Sequence, residues 1–147
     1  MKVTIDNKGI TLGEHKFIFN LYFIEDDSEF LGDPTFGGTF KKIVNKWAEV
    51  LQTISSDNSP MYLPYDPDGQ WTDALKATLI GERIELKWVR LDVTGWGVFD
   101  YDLPGFITSP HKIVEESAES LGGLEKSEMV SALLNAEVID EVPVDMI

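Results

Sequence analysis

The chain has 147 residues, 43% of them hydrophobic and 11% aromatic, enough for one domain burying roughly 68–70% of its unfolded surface. It has no cysteine, which excludes a disulfide framework, thiolate zinc sites and a cysteine nucleophile, and suits a reducing cytoplasm. Its 26 acids against 12 bases give a net charge of −14, a field that repels nucleic-acid phosphates and anionic membranes and draws cationic partners.

The first residues alternate apolar and polar side chains and contain no apolar h-region, so no signal peptide is expected. Residues 2–6 and 10–12 read as strands around the turn chemistry of Asn7-Lys8-Gly9. Residues 16–24 place Phe17, Phe19, Leu21 and Phe23 on one face and Ile18, Asn20, Tyr22 and Ile24 on the other, apolar on nearly both. A strand apolar on both faces belongs in the middle of a sheet, covered on both sides. Residues 25–38 read as a loop with five acids and no base, interrupted by Phe30, Leu31 and Phe36.

A helix is expected next, N-capped by Thr39. Phe40, Ile43, Val44, Trp47, Val50, Leu51 and Ile54 form one apolar stripe, with Lys41, Lys42, Lys46 and Glu49 outside it. Such a stripe wants a sheet to lie on. After a loop ending at Pro60, residues 60–72 hold three prolines and three large aromatics. Residues 74–80 and 83–91 then pair as a hairpin about Gly81-Glu82, with Gly first as a type II′ turn prefers. A further strand is expected over 96–101.

The last third changes character. Ser109-Pro110 reads as a cap and first helical position, with Ile113, Val114, Ser117 and Leu121 continuing a short helix to Gly122-Gly123. A second helix, near 125–135, gathers Met129, Val130, Leu133 and Leu134. The tail over 136–147 is an edge strand or a flexible acidic end. The fold class is therefore α+β, a single domain over 1–147. Its elements are a mainly antiparallel sheet, one long amphipathic helix packed on it and two short C-terminal helices.

No motif carries catalysis or a metal. His15 and His111 have no partner at metal spacing, and both read as surface residues. Ser109-Pro110-His111 lacks a Gly-x-Ser-x-Gly elbow. Gly37-Gly38-Thr39, with Lys41 and Lys42 beside it, could cradle an anion at a helix start, but it lacks a P-loop's Gly-Lys-Ser/Thr and reads better as a flexible cap. Asp66-Pro67-Asp68-Gly69 puts its glycine fourth and Ala77 at the twelfth position, where an EF-hand needs glycine sixth and glutamate twelfth. Asp100 and Asp102 flank Tyr101 with Trp71 and Trp96 available for stacking, which leaves a carboxylate enzyme on sugars or a divalent metal as a minor alternative. The expectation is no catalytic residue, no metal and no cofactor.

Acids interleaved with large aromatics recur in three segments, and these are the candidate partner-binding residues. The first holds Glu25, Asp26, Asp27, Glu29 and Asp33. The second holds Tyr65, Asp66, Asp68 and Trp71, and the third Trp96, Asp100, Tyr101 and Asp102. Aromatic anchors in desolvated pockets with acidic rims suit capture of a basic protein. The charge is also lopsided: residues 1–90 hold 14 acids and 10 bases, while 91–147 hold 12 acids and only Lys112 and Lys126.

Over residues 60–106, Tyr62-Leu63-Pro64-Tyr65-Asp66 through Trp71, the 75–91 hairpin and Gly95-Trp96 carry a resemblance. The chain resembles small bacterial α+β immunity proteins of polymorphic or contact-dependent toxin systems. That resemblance implies a non-catalytic protein that binds a basic, nuclease-like toxin domain and occludes its active site; the cytoplasm is the expected compartment because no apolar leader and no apolar run of roughly 20 residues is present. The alternative is a structural or adaptor module that forms a homo-oligomer.

Overall fold

The computed structural model describes residues 1–19, 36–68, 70–93 and 103–139. The strand expected over 96–101, the end of the 16–24 strand and the tail from 140 lie outside the described residues. The described fold is α+β, with mostly antiparallel strands arranged in two sheets where the sequence suggested one.

The small sheet has the order β3-β2-β1-β9, from β1 (Val3–Ile5), β2 (Gly9–Leu12), β3 (His15–Ile18) and β9 (Glu137–Val138). β9 is its one parallel member, alongside β1. The β1–β2 turn is closed by the Asp6 carboxylate, which accepts the Lys8 and Gly9 amides at 2.8 and 3.0 Å and pairs with Lys16. β3 ends the order and is not the doubly covered centre that its apolar pattern suggested. Phe17 is buried, but Ile18 is 53% exposed.

The large sheet is a meander of β4 (Met61–Asp68), β5 (Trp71–Ile80) and β6 (Arg83–Asp92), continued by β7 (Lys112–Glu116); β8 (Gly122–Glu125) pairs the other half of β6. The β5–β6 hairpin forms about the expected turn. Gly81 takes φ +62°, a conformation that the first central position of a primed turn demands and other residues resist. Period two then sorts the hairpin. Leu75, Ala77, Leu79, Ile84, Leu86 and Trp88 share the face turned to the main core. Ala74, Val89 and Leu91 face the other way, onto a second cluster with Tyr62, Val93 and Phe106.

The amphipathic stripe forms α1 (Phe36–Leu51). Its described span begins at Phe36, four residues before the Phe40 that an N-cap at Thr39 implies, so Thr39 is no N-cap but a fully buried residue inside the first turn. Gly37 suits this position: a Cβ there would come within 2.7 Å of Val138 Cγ1, so its absence lets the helix start lie close against β9. Phe40, Ile43, Val44, Trp47 and Leu51 are fully buried, and at about 1.5–3 kcal/mol for each large apolar side chain removed from water they make α1 the pillar of the fold. α2 (Leu103–Thr108) and α3 (Lys126–Leu134) pack beside it.

The helix expected over 109–121 is not formed. Residues 112–116 instead make β7, because the β-branched pair Ile113-Val114 completes the hydrogen bonding of the β6 edge. Gly122-Gly123, which resembled a helix stop, starts β8: Gly122 takes φ +131°, and a Cβ on Gly123 would sit 3.1 Å from the Ile84 carbonyl oxygen.

Candidate partner interface

The outcome for the thirteen candidate residues is uneven. Glu25, Asp26, Asp27, Glu29, Asp33, Trp96, Asp100, Tyr101 and Asp102 lie outside the described residues. The other four are brought to one end of the large sheet by the β4–β5 hairpin, where Asp66 pairs with Asp73 and Asp68 with Trp71.

Tyr65 differs from its sequence reading. It is a core ring, 6% exposed, against Phe17 at 5.3 Å and Phe19 at 6.4 Å between centroids. Burial first, then the Asp73 and Asp66 charges, push its phenol well above the ordinary tyrosine range, while the Trp88 side chain hydrogen-bonds to it. Asp66 and Trp71 remain partly exposed. A β-bulge between Pro64 and Asp66 re-aims the strand at this point.

Sequence reasoning missed two residues at this end. Arg90 lies opposite Asp73 and binds it as a fork, Nε to Oδ1 at 2.8 Å and a terminal nitrogen to Oδ2 at 3.4 Å. Its guanidinium also sits 5.5 Å from the Trp88 ring. A register of ten paired positions was needed to bring Asp73 and Arg90 together, and no local pattern announces it.

The described ends that lead into 20–35 and 94–102 lie near this end of the large sheet, and the end that leads into the tail lies on the small sheet. Phe19 and Phe36, on either side of 20–35, both lie against Phe40, at 4.8 and 6.3 Å. Val93, which precedes 94–102, donates its amide to the Gln70 carbonyl beside the Trp71–Asp92 pair. Ile139, which precedes the tail, donates to the Ile5 carbonyl at 2.7 Å, next to the Gly37–Val138 contact. Ten of the 26 acids, and none of the 12 bases, belong to residues outside the described set. The described residues hold the remaining 16 acids, and Asp6, Glu49, Asp73 and Glu116 among them are ion-paired.

The two histidines are placed differently from each other. His15 is exposed on β3. His111 is not a surface helix residue. Its ring is half-buried, tilted on Phe106 at 4.1 Å and edge-on to Tyr62 at 5.3 Å, with Nε2 donating to the Phe106 carbonyl at 2.7 Å. Burial holds its pKa below the usual histidine value despite that hydrogen bond. It lines a small cleft of about 250 Å³ with Asp57, Ser59 and Ser109.

At the opposite pole a larger groove of about 710 Å³ runs between α3 and the tip of the β5–β6 hairpin. Glu82 and Glu125 stand on its rim, both exposed. A general acid working near neutral pH needs a carboxyl withdrawn from water. These two are not withdrawn, and the pair reads as a charged rim.

Among the described residues no three or more His, Cys, Asp or Glu are grouped to hold a metal ion. No described helix is long and apolar enough to cross a membrane. No protein-family model, curated protein or solved structure matches the chain.

Proposed function

We propose that this is a non-catalytic binding protein whose acidic, ring-rich pole docks a basic protein. In the reading the sequence resemblance favours, the partner is a nuclease-like toxin domain and the chain its immunity protein. One observation carries the reading: Phe19 and Val93, the described ends that lead into two base-free acidic segments, lie beside the hairpin on which Asp66 and Trp71 stand. Acids gathered about one pole focus a field that scattered acids would not, and so steer a cationic partner. The described body contributes little to that excess, because several of its acids are already tied to lysine or arginine.

A rigid body with a charged rim binds by occlusion and needs no chemistry of its own. The preformed β4–β5 hairpin, braced by the Asp73–Arg90 fork and the Tyr65 ring, supplies the rigidity.

The test is capture of a basic protein on the immobilised intact chain at low and at high salt, followed by an assay of the captured protein's nuclease activity with and without the chain. The reading requires retention at low salt, loss as salt screens the charges, and inhibition at one-to-one stoichiometry. Retention of no basic protein at low salt removes it. A captured protein whose activity is untouched leaves a binding module and removes the toxin.

A further inference from the structure

The groove at the other pole is built from three pieces. One wall is a single face of α3, where Ser127, Val130, Ser131 and Leu134 recur at helical spacing. The other wall is Leu79, Gly81 and Glu82 of the hairpin tip, and Ile54 closes the floor beyond α1. Lys126 stitches the walls together: its amide donates to the Glu82 carbonyl at 2.9 Å and its ammonium to the Ile54 carbonyl at 3.0 Å.

The floor is apolar and sealed, with Ile54 2% and Val130 7% exposed, while Leu134 is left 40% exposed at the mouth. Ser127 and Ser131 are the small side chains that let another backbone lie close along α3. The volume falls within the roughly 300–1,000 Å³ of built binding sites.

Charge decides what fits. Glu82 and Glu125 stand exposed on the rim, with no ion pair among the described residues, and Glu125 accepts only the Ser127 hydroxyl at 3.2 Å. Lys126, the one base lining the groove, is committed to the Ile54 carbonyl. An anionic lipid or an aliphatic carboxylate would bring negative charge onto that rim. A second copy would bring its own −14. An apolar strip bordered by cations suits both floor and rim.

We propose that this groove docks a cationic amphipathic helix of a partner protein, its apolar side on Ile54, Leu79, Val130 and Leu134 and its basic residues on Glu82 and Glu125. The site is separate from the acidic pole, and either can fail without the other.

The experiment is a methyl and amide NMR titration of the intact chain with a synthetic leucine–lysine peptide of roughly four helical turns. A control peptide has the same composition, scrambled so that its leucines share no face. The amphipathic peptide is expected to shift Leu79, Val130, Leu134, Gly81 and Glu125, and the scrambled one to leave them in place. Leu134→Glu should weaken binding by about tenfold, as loss of a central anchor does. Should that variant misfold, Ser131→Arg, on an exposed residue, fills and recharges the groove to the same effect. Glu82→Lys with Glu125→Lys should weaken binding and flatten its salt dependence. The proposal is overturned if both peptides shift the groove equally, if shifts appear only around Trp71 and Asp92, or if uncharged dodecyl maltoside occupies the groove as tightly as the peptide.

Discussion

The two poles of the molecule are built on opposite principles. At the β4–β5 end, rings fill the space beneath the surface, and the partly buried charges at Asp73 and Arg90 are matched in a fork. At the β5–β6 tip, apolar side chains line an open groove and the rim carboxylates have no such match. A paired, filled end offers a rigid platform, whereas an unfilled one offers a place for something else to enter. Paired charge over packed rings and unpaired carboxylates over an apolar groove thus occupy the two ends of the same hairpin sheet.

The rings beneath the β4–β5 end carry the greatest expected cost on substitution. Phe19 is 3% exposed and edge-on to Phe40 and Trp47. Phe19→Ala should cost about 3–5 kcal/mol in urea unfolding; a loss below about 1 kcal/mol would mean that these rings do not hold the pole. Next is Lys41, whose ammonium donates to the Leu134 and Leu133 carbonyls at 2.7 and 3.2 Å and so caps the C-terminal end of α3. Lys41→Met should cost about 1–2 kcal/mol and raise amide exchange in the last turn of α3, at the groove, while sparing the hairpin about Trp71.

A pH effect sharpens the contrast further. Burial disfavours the charged form of His111, so its folded pKa lies below its unfolded value of about 6.5. The sign follows: its contribution to stability is full above that unfolded pKa and is lost as pH falls toward the folded one. His111→Gln should flatten the stability profile in that window, and an NMR titration midpoint at or above about 6.5 would contradict the assignment. Smaller still is Asp73→Asn. Arg90 is 39% exposed, and solvent-screened pairs contribute only about 0–1 kcal/mol, so thermal unfolding should move by little. Smallest is Leu134→Glu, on a partly exposed residue: stability should stay within about 0.5 kcal/mol of the parent.

Much of the local structure was legible in the residues, and little of the long-range structure was. The seven-residue stripe from Phe40 to Ile54 announced a helix because period 3.6 is a local property, and α1 forms there. Gly81 announced its hairpin for the same reason. The makeup of the small sheet was hidden, since β9 joins it by reaching back across the chain to β1. Residues 113–121 misled because Ile113, Val114, Ser117 and Leu121 happen to fit a helical face, while the pairing that claims 112–116 comes from β6. Gly37 looked like a flexible cap, and its reason is Val138, a hundred residues away. As for the candidate interface, acids and rings were visible as texture, but composition could not say that Tyr65 is a core ring. Nor could it show the groove, whose walls join Leu79 to Leu134.

The measurement that bears most directly on the acidic pole is the association rate of the captured basic partner at low and physiological salt. It should be run for the intact chain and for a variant carrying Asp26→Asn, Asp27→Asn and Glu29→Gln. The intact chain should associate at least about tenfold faster at low salt than the variant and lose that advantage as salt rises, with unchanged melting temperatures. Equal rates and equal salt slopes for the two proteins would contradict steering from this pole.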